Sequence, residues 1–116
     1  MKITLCAVGR MKDGPERELM AKYRRRINWP LDIVEVGERR KPSAGELKRR
    51  EGALIEHALP PGALRIAMDE RGQSLSSRDF AKRLSEWQNQ GRNIVFIIGG
   101  SNGLDSSLRK SSDAII

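Results

Sequence analysis

The sequence predicts a single α/β domain built around a mainly parallel sheet with helices on both faces. Short apolar runs alternate with stretches of helical periodicity along the 116 residues. The runs "KITLCAV" and "NIVFII" are apolar throughout, which is typical of strands covered on both sides. A chain of this length has room for one modest core. We therefore expect one domain over residues 1–116.

The first half predicts two strands and two helices in alternation. "KITLCAV" is a buried strand, and "GPERELMAKYRRRI" is a helix because its apolar residues recur at helical spacing. Those residues are Leu19, Met20, Tyr23 and Ile27. "WPLDIVEV" alternates apolar and acidic residues, which indicates an edge strand. Ser43 and Glu46 have the spacing of a capping box, and the helix that they open runs to about Ala58.

The second half repeats the alternation. "ALRIAMDE" predicts a third strand that ends in acids, and "SLSSRDFAKRLSEWQNQG" predicts a helix that a serine caps and Gly91 closes. Phe80, Leu84 and Trp87 form one apolar stripe on this helix and are expected in the core. "NIVFII" is the fourth strand. A short helix from about Asp105 to Lys110 then precedes "DAII", the start of a fifth strand.

Positive charge is concentrated in the first half of the chain. The net charge is +7 and the isoelectric point is about 10.2. Residues 1–50 hold 14 Lys and Arg against 7 Asp and Glu, whereas residues 51–116 hold 8 of each. Segregated positive charge favours a polyanionic partner such as RNA, although ordinary solvated helix faces are the alternative. The candidate RNA-binding residues are Arg24, Arg25, Arg26, Arg39, Arg40 and Lys41.

Several classes of protein are excluded by what the chain contains. One cysteine, Cys6, and one histidine, His57, cannot build a disulfide framework or a zinc cluster, so no metal site is expected. Cys6 lies within an apolar run and is expected to be buried, and His57 is expected at a helix end. No apolar run is long enough to span a bilayer, and the N-terminus does not resemble a signal peptide. We expect a cytoplasmic protein with no membrane partner.

The segment "VFIIGGSNGL", residues 95–104, places three glycines directly after a buried strand. A ligand that approaches the main chain closely would require this composition, but a tight strand-to-helix turn explains it equally well. The spacing departs from the dinucleotide fingerprint, and no P-loop lysine is present, so a neutral or zwitterionic ligand is favoured. Ligands of parallel sheets bind at the carboxyl ends of strands, which here are followed by "DERG" and "GGSNGL".

The segments "MKITLCAVGRMKDG", "MDERGQSLSSRDFAKRL" and "VFIIGGSNGL" together resemble the RlmH family of bacterial large-subunit pseudouridine methyltransferases. This family belongs to the SPOUT superfamily of knotted methyltransferases. The resemblance implies a cytoplasmic homodimer that uses S-adenosylmethionine to methylate N3 of pseudouridine 1915 in 23S ribosomal RNA on the assembled ribosome. Family cofactor positions correspond to Met68 and Gly99, and the loop geometry adds Gly100 and Asn102. No catalytic residue is assigned.

The chain departs from that family at its C-terminal end. Members of the family continue past "DAII" with a segment that completes the cofactor pocket, forms the trefoil knot and supplies much of the dimer interface. The resemblance therefore implies a C-terminally incomplete SPOUT domain with weak or absent cofactor binding, little activity and a weakened dimer. Two alternatives remain: a non-catalytic ribosome-binding or RNA-binding module, and an α/β domain that binds some other nucleotide.

Overall fold

The computed structural model describes residues 1–39 and 42–116, and the candidate residues Arg40 and Lys41 lie outside this part. Strands and helices alternate along the described chain as the apolar pattern predicts. In order they are β1 (Ile3–Val8), α1 (Pro15–Arg24), β2 (Leu31–Val36), α2 (Ala44–Ala58), β3 (Leu64–Met68), α3 (Ser77–Asn89), β4 (Ile94–Ile98), α4 (Ser106–Ser111) and β5 (Ala114–Ile115).

The five strands form one sheet in the order β2-β1-β4-β3-β5. Every strand pairing within the described residues is parallel, so the carboxyl ends of the strands meet at one edge. The predicted α/β class with a mainly parallel sheet is confirmed, and β2 is an edge strand as its alternating pattern indicates. Between β1 and β4 the sheet joins strands that are far apart in sequence.

The sheet is covered on both faces, and β4 shows how one strand serves two cores. Its alternate residues Val95 and Ile97 pack in one cluster with Cys6, together with residues of α2 and α4. Ile94 and Phe96 point the other way, into a second cluster that contains Trp87 of α3. The other two members of the predicted α3 stripe, Phe80 and Leu84, pack against this second cluster. The stripe is therefore core, as predicted.

Two helix starts that look alike in sequence differ in the structure. Ser76 caps α3 through its side chain, which accepts a hydrogen bond of 3.1 Å from the main-chain N–H of Asp79. Ser43 occupies the N-cap position of α2, but among the described residues its side chain accepts no capping hydrogen bond. Helix α2 begins and ends where the sequence predicts. The prediction of a capping box is wrong, because the side chain of Ser43 does not cap the helix.

Helix α1 lies at the periphery of the fold. The structure describes all of its residues, and none of them is buried. Leu19 and Tyr23 are 53% and 54% exposed, and Ile27, just beyond the helix, is 40% exposed. Because these residues recur every four positions, they form an apolar stripe that faces solvent.

Candidate functional site

A cleft opens at the carboxyl edge of the sheet, where β3 and β4 end side by side. Met68 and Ile98 are register partners at the ends of these two parallel strands, so the loops that follow leave the sheet together. The cleft has a volume of about 300 Å³ and is lined by residues 68–71 and 98–103. All four candidate cofactor residues line it: Met68, Gly99, Gly100 and Asn102. The two strand exits therefore line one cleft.

Part of the lining of this cleft is apolar. Met68 and Ile98 are 37% and 41% exposed, which is unusual for large apolar residues that end central strands. On the side of the sheet that α3 covers, the same two residues also border a smaller apolar cavity of about 200 Å³. Leu5, Phe80 and Phe96 form the rest of that cavity. A flat apolar group could therefore lie against Met68 and Ile98.

The glycine loop is compact, and the contacts within the protein account for its glycines. The main-chain N–H of Gly103 donates a hydrogen bond of 3.0 Å to the carbonyl of Gly100, and Gly103 has a φ of +80°. A Cβ on Gly99 would lie 2.8 Å from the carbonyl carbon of Gly103. A Cβ on Gly100 would lie 3.0 Å from a carboxylate oxygen of Glu51. These glycines can therefore be explained without a ligand. The main chain of Gly103 excludes a side chain at residue 99, the positive φ favours glycine at residue 103, and a side chain at residue 100 would have to displace Glu51 or Val8.

The opposite wall of the cleft carries a structured carboxylate, Asp69. Its Oδ1 accepts a hydrogen bond of 2.9 Å from the main-chain N–H of Arg71, and the side chain is 4% exposed. Arg71 Nε lies 3.5 Å from Oδ1, and Arg109 Nε lies 3.9 Å from Oδ2. The hydrogen bond from Arg71 and the charges of both arginines hold the pKa of Asp69 below its ordinary value, although burial opposes them.

Arg71 also changes the expected character of the site. The glycine loop itself has no cation, which favours a neutral or zwitterionic ligand, but Arg71 from the neighbouring loop lines the same cleft. In the sequence the acids of "DERG" stand out, and the pattern alone indicates no role for this arginine. Its position directly after a strand, at the same sheet edge as the glycine loop, is the signal that could have identified it.

The cleft fits a nucleoside-type cofactor in chemical character. Met68 and Ile98 offer an apolar surface, while the exposed Asn102 and the main chain of the glycine loop offer polar groups. The volume lies at the lower end of the range for small-molecule sites.

Across residues 1–39 and 42–116, no group of three or more metal-ligating side chains comes together. In the same residues, no helix has the length and apolar character needed to cross a membrane.

The structure separates the candidate RNA-binding residues. Arg24, Arg25 and Arg26 lie where α1 ends, close to the start of β2, because Arg24 Nη2 donates a hydrogen bond of 2.8 Å to the carbonyl of Leu31. The guanidinium of Arg26 lies 5.7 Å from the centroid of the Tyr23 ring. Arg39 follows the carboxyl end of β2 and so lies at the same sheet edge as the cleft. Of the candidate RNA-binding residues that the structure describes, three therefore lie near the amino end of β2 and Arg39 follows its carboxyl end.

The isolated cysteine and histidine have the structural roles that were expected. Cys6 is fully buried in the core cluster under α2 and α4, and burial raises the pKa of its thiol. A thiol with a raised pKa is a poor nucleophile at neutral pH. His57 lies exposed in the last turn of α2. Neither residue lines the cleft.

Comparisons with known proteins agree along the whole chain. A family model described as "Predicted SPOUT methyltransferase" matches residues 1–116. A protein of Rhodospirillum centenum is 45% identical over 117 residues, which cover 100% of this chain and 77% of that protein. Relatives from Mesorhizobium japonicum and Paramagnetospirillum magneticum are 43% and 38% identical, each over 100% of this chain and 78% and 77% of the relative. All three are named ribosomal RNA large subunit methyltransferase H.

Proposed function

Because the chain belongs to the SPOUT methyltransferase family, we propose that it methylates large-subunit ribosomal RNA with S-adenosylmethionine as the methyl donor. We further propose N3 of pseudouridine 1915 in 23S ribosomal RNA as the target, on the assembled ribosome. The observation that carries the proposal is the cleft between the ends of β3 and β4, in a chain whose relatives are named as large-subunit ribosomal RNA methyltransferases.

We assign cofactor binding to the residues that line the cleft. Met68 and Ile98 would pack against the adenine ring, and the main chain of Gly99 and Gly100 would hydrogen-bond its polar edges, with Asn102 at the rim. The cofactor supplies a methyl group that its sulfonium already activates. The contribution of these residues is therefore position: a methyl donor held in line with its acceptor reacts without a protein nucleophile.

Asp69 has a supporting role in this proposal. Its lowered pKa keeps the carboxylate ionised at neutral pH, and its oxygens are already engaged with the main chain of Arg71 and the two guanidinium groups. A carboxylate held in this way is a poor general base. It fixes the shape of the loop after β3, so that Arg71 stands beside the glycine loop.

The RNA substrate would reach the cleft over the carboxyl edge of the sheet. Arg39 lies at this edge and would contact phosphates close to the reacting base. Arg24, Arg25 and Arg26 lie at the far edge and would contact more distant parts of the ribosome, where their charge adds affinity without sequence selection. A cytoplasmic location follows from a ribosomal substrate.

We propose a homodimer, with the apolar stripe of α1 as part of the surface that a second copy covers. The stripe is defined by Leu19, Tyr23 and Ile27, which are exposed in the single chain. Exposed apolar surface of this kind usually marks an interaction site. We expect the dimer formed by this chain to be weak.

Methyl transfer is the direct test of the proposal. The chain is incubated with S-adenosylmethionine that carries a labelled methyl group and with assembled ribosomes that lack the modification. The product is then located by mass spectrometry of RNA fragments. We expect slow transfer to N3 of the target pseudouridine. We expect Met68→Glu to abolish it, because a charge would be buried against the adenine ring.

Met11→Glu is the matched control for this test. Met11 is 36% exposed, close to the 37% of Met68, but it lies in the loop after β1 and outside the cleft. Transfer that survives in Met68→Glu would contradict the assignment of the cleft. RNA binding without transfer, in a chain that also fails to bind S-adenosylmethionine, would favour a non-catalytic RNA-binding module.

A further inference from the structure

Glu51 is a buried acid that has no counterion in the described part of the chain. The residue lies on α2 and is 8% exposed. Its Oε1 atom is buried and, among the described residues, has no hydrogen-bond partner. Acidic side chains are seldom buried to this extent unless they are paired. The position of Glu51 therefore requires a physical explanation.

Glu51 lies directly beneath the glycine loop. A Cβ placed on Gly100 would be 3.0 Å from Oε2, 3.1 Å from Oε1 and 3.1 Å from Cγ1 of Val8. The carboxyl group of Glu51 and the side chain of Val8 therefore pack next to the main chain of Gly100. A side chain at residue 100, which lines the cleft, would therefore have to displace the end of the Glu51 side chain or Val8.

The groups that surround Glu51 do not offset the cost of burying its charge. Helix α2 packs against β1, β2 and α4. The titratable or charged groups on these elements, at the N-cap of α4 and on the preceding turn of α2 are Cys6, Asp32, Glu35, Asp105, Arg109, Lys110, Lys48, Arg49 and Arg50. Within residues 1–39 and 42–116, none of them is ion-paired or hydrogen-bonded to Glu51, and burial raises the pKa of its carboxyl group.

We propose that Glu51 is a positioning residue whose buried carboxyl group holds Gly100 and the glycine loop in the shape that forms the cleft. The role of the loop in binding S-adenosylmethionine rests on the proposed function. The role of Glu51 beneath the loop does not. When Glu51 ionises, its carboxylate requires hydration. Water can reach it only if the glycine loop moves away from Glu51 and Val8. Cofactor affinity then falls as the pH rises through the raised pKa.

Two substitutions separate the shape of the side chain from its charge. Glu51→Gln keeps the shape of the protonated acid and cannot ionise, whereas Glu51→Ala removes the side chain that packs next to the main chain of Gly100. The experiment follows the amide NMR signals of Gly99, Gly100 and Gly103 across the pH range in which the protein stays folded, without and with S-adenosylmethionine. Glu46→Gln is the control, since Glu46 lies on the same helix, is half-exposed and can still accept from Arg50 after the change.

We expect the three glycine signals to titrate together in the wild type and in Glu46→Gln, and to be independent of pH in Glu51→Gln. Affinity for S-adenosylmethionine should fall about fivefold across this range in the wild type, because a smaller fraction of loops is competent to bind. It should stay constant in Glu51→Gln and be lower at every pH in Glu51→Ala.

The outcomes distinguish this inference from the proposed function. If the loop titrates through Glu51 but no variant binds S-adenosylmethionine, the inference stands and the assigned cofactor is wrong. If the folded Glu51→Gln and Glu51→Ala variants both leave the glycine signals and their pH dependence unchanged, Glu51 does not position the loop and the inference is overturned.

Discussion

Met68 and Ile98 end two adjacent parallel strands in the same register, and both leave more than a third of their surface exposed. The strand ends therefore present two apolar side chains next to two polar loops. Burying these two side chains against a ligand would remove apolar surface from water, which stabilises a complex by about 25 cal/mol per Å². The same pair borders the apolar cavity beneath α3, so a ligand that packs on one side would also restrict side chains on the other.

Gly99→Ala tests whether the turn that closes the glycine loop is as tight as the structure shows. The new Cβ would lie 2.8 Å from the carbonyl carbon of Gly103, and a main-chain neighbour cannot move without opening the turn. We expect the free energy of unfolding to fall by about 1–3 kcal/mol and binding of S-adenosylmethionine to weaken. Denaturant unfolding and a ligand titration measure the two effects.

Gly37→Ala is the control for this prediction. A Cβ on Gly37 meets no described residue within 4 Å, so the free energy of unfolding should change by less than about 0.5 kcal/mol. If Gly99→Ala were as stable as Gly37→Ala, the turn between Gly100 and Gly103 would have to be looser than described.

Reversing Arg25 and Arg26 to glutamate tests the basic group at the end of α1. Arg24 is left unchanged because it hydrogen-bonds to the carbonyl of Leu31. We expect weaker binding to ribosomal RNA and a smaller dependence of affinity on salt, by about 0.7–0.9 in the log–log slope for each phosphate that the protein no longer neutralises. Filter binding at several salt concentrations measures the slope.

The double variant Arg78→Glu and Lys82→Glu, at two exposed positions of α3, makes the same change in net charge outside this group. A salt slope that falls equally in both double variants would show that net charge, and not the group at the end of α1, determines RNA affinity. An unchanged slope in the Arg25 and Arg26 variant would remove these residues from the interface.

The sequence was sufficient to predict the order of the strands and helices, because a strand covered on two faces must be apolar throughout. "NIVFII" illustrates this: its alternate residues enter two separate cores. The site was also predictable in outline. Parallel strands end at one edge, so the loops after Met68 and Ile98 had to be neighbours if β3 and β4 were paired.

Glu51 shows where prediction from the sequence stops. Its spacing of four residues from Leu47 and from Ile55 places it on the buried face of α2, which is a signal that could have been noticed. Its contact with Gly100, however, depends on how a helix and a loop separated by 49 positions in the sequence pack together. The division of the arginines between two edges likewise depends on the direction in which α1 crosses the sheet.

Asp69→Asn tests the support of the loop after β3. The lowered pKa of Asp69 means that its ionised form stabilises the fold above the pKa of an unfolded aspartate. We expect the variant to be less stable than the wild type at neutral pH. The difference should shrink as the pH falls below about 4, through the folded-state pKa of Asp69. Thermal unfolding across this range measures it.

Asp113→Asn is the comparison for this prediction. Asp113 also accepts a main-chain hydrogen bond, of 2.8 Å from Arg65, but lies at the start of β5 and away from the cleft. Asp69→Asn should disturb the amide signals of the glycine loop, and Asp113→Asn should not. Equal stability of Asp69→Asn and the wild type at neutral pH would show that the contacts with Arg71 and Arg109 contribute nothing.

The apolar stripe of α1 gives a prediction about assembly. Leu19 and Tyr23 are about half exposed in the single chain, and polar replacements there cost the monomer little because neither residue belongs to a core. In a dimer that covers them, Leu19→Gln and Tyr23→Gln together should weaken association at least about tenfold. Sedimentation equilibrium measures the dissociation constant, and Lys22→Gln, an exposed change on the same helix, is the control. A wild type that stays monomeric at high concentration, or a dimer that the paired substitution leaves unchanged, would show that a second copy does not cover this stripe.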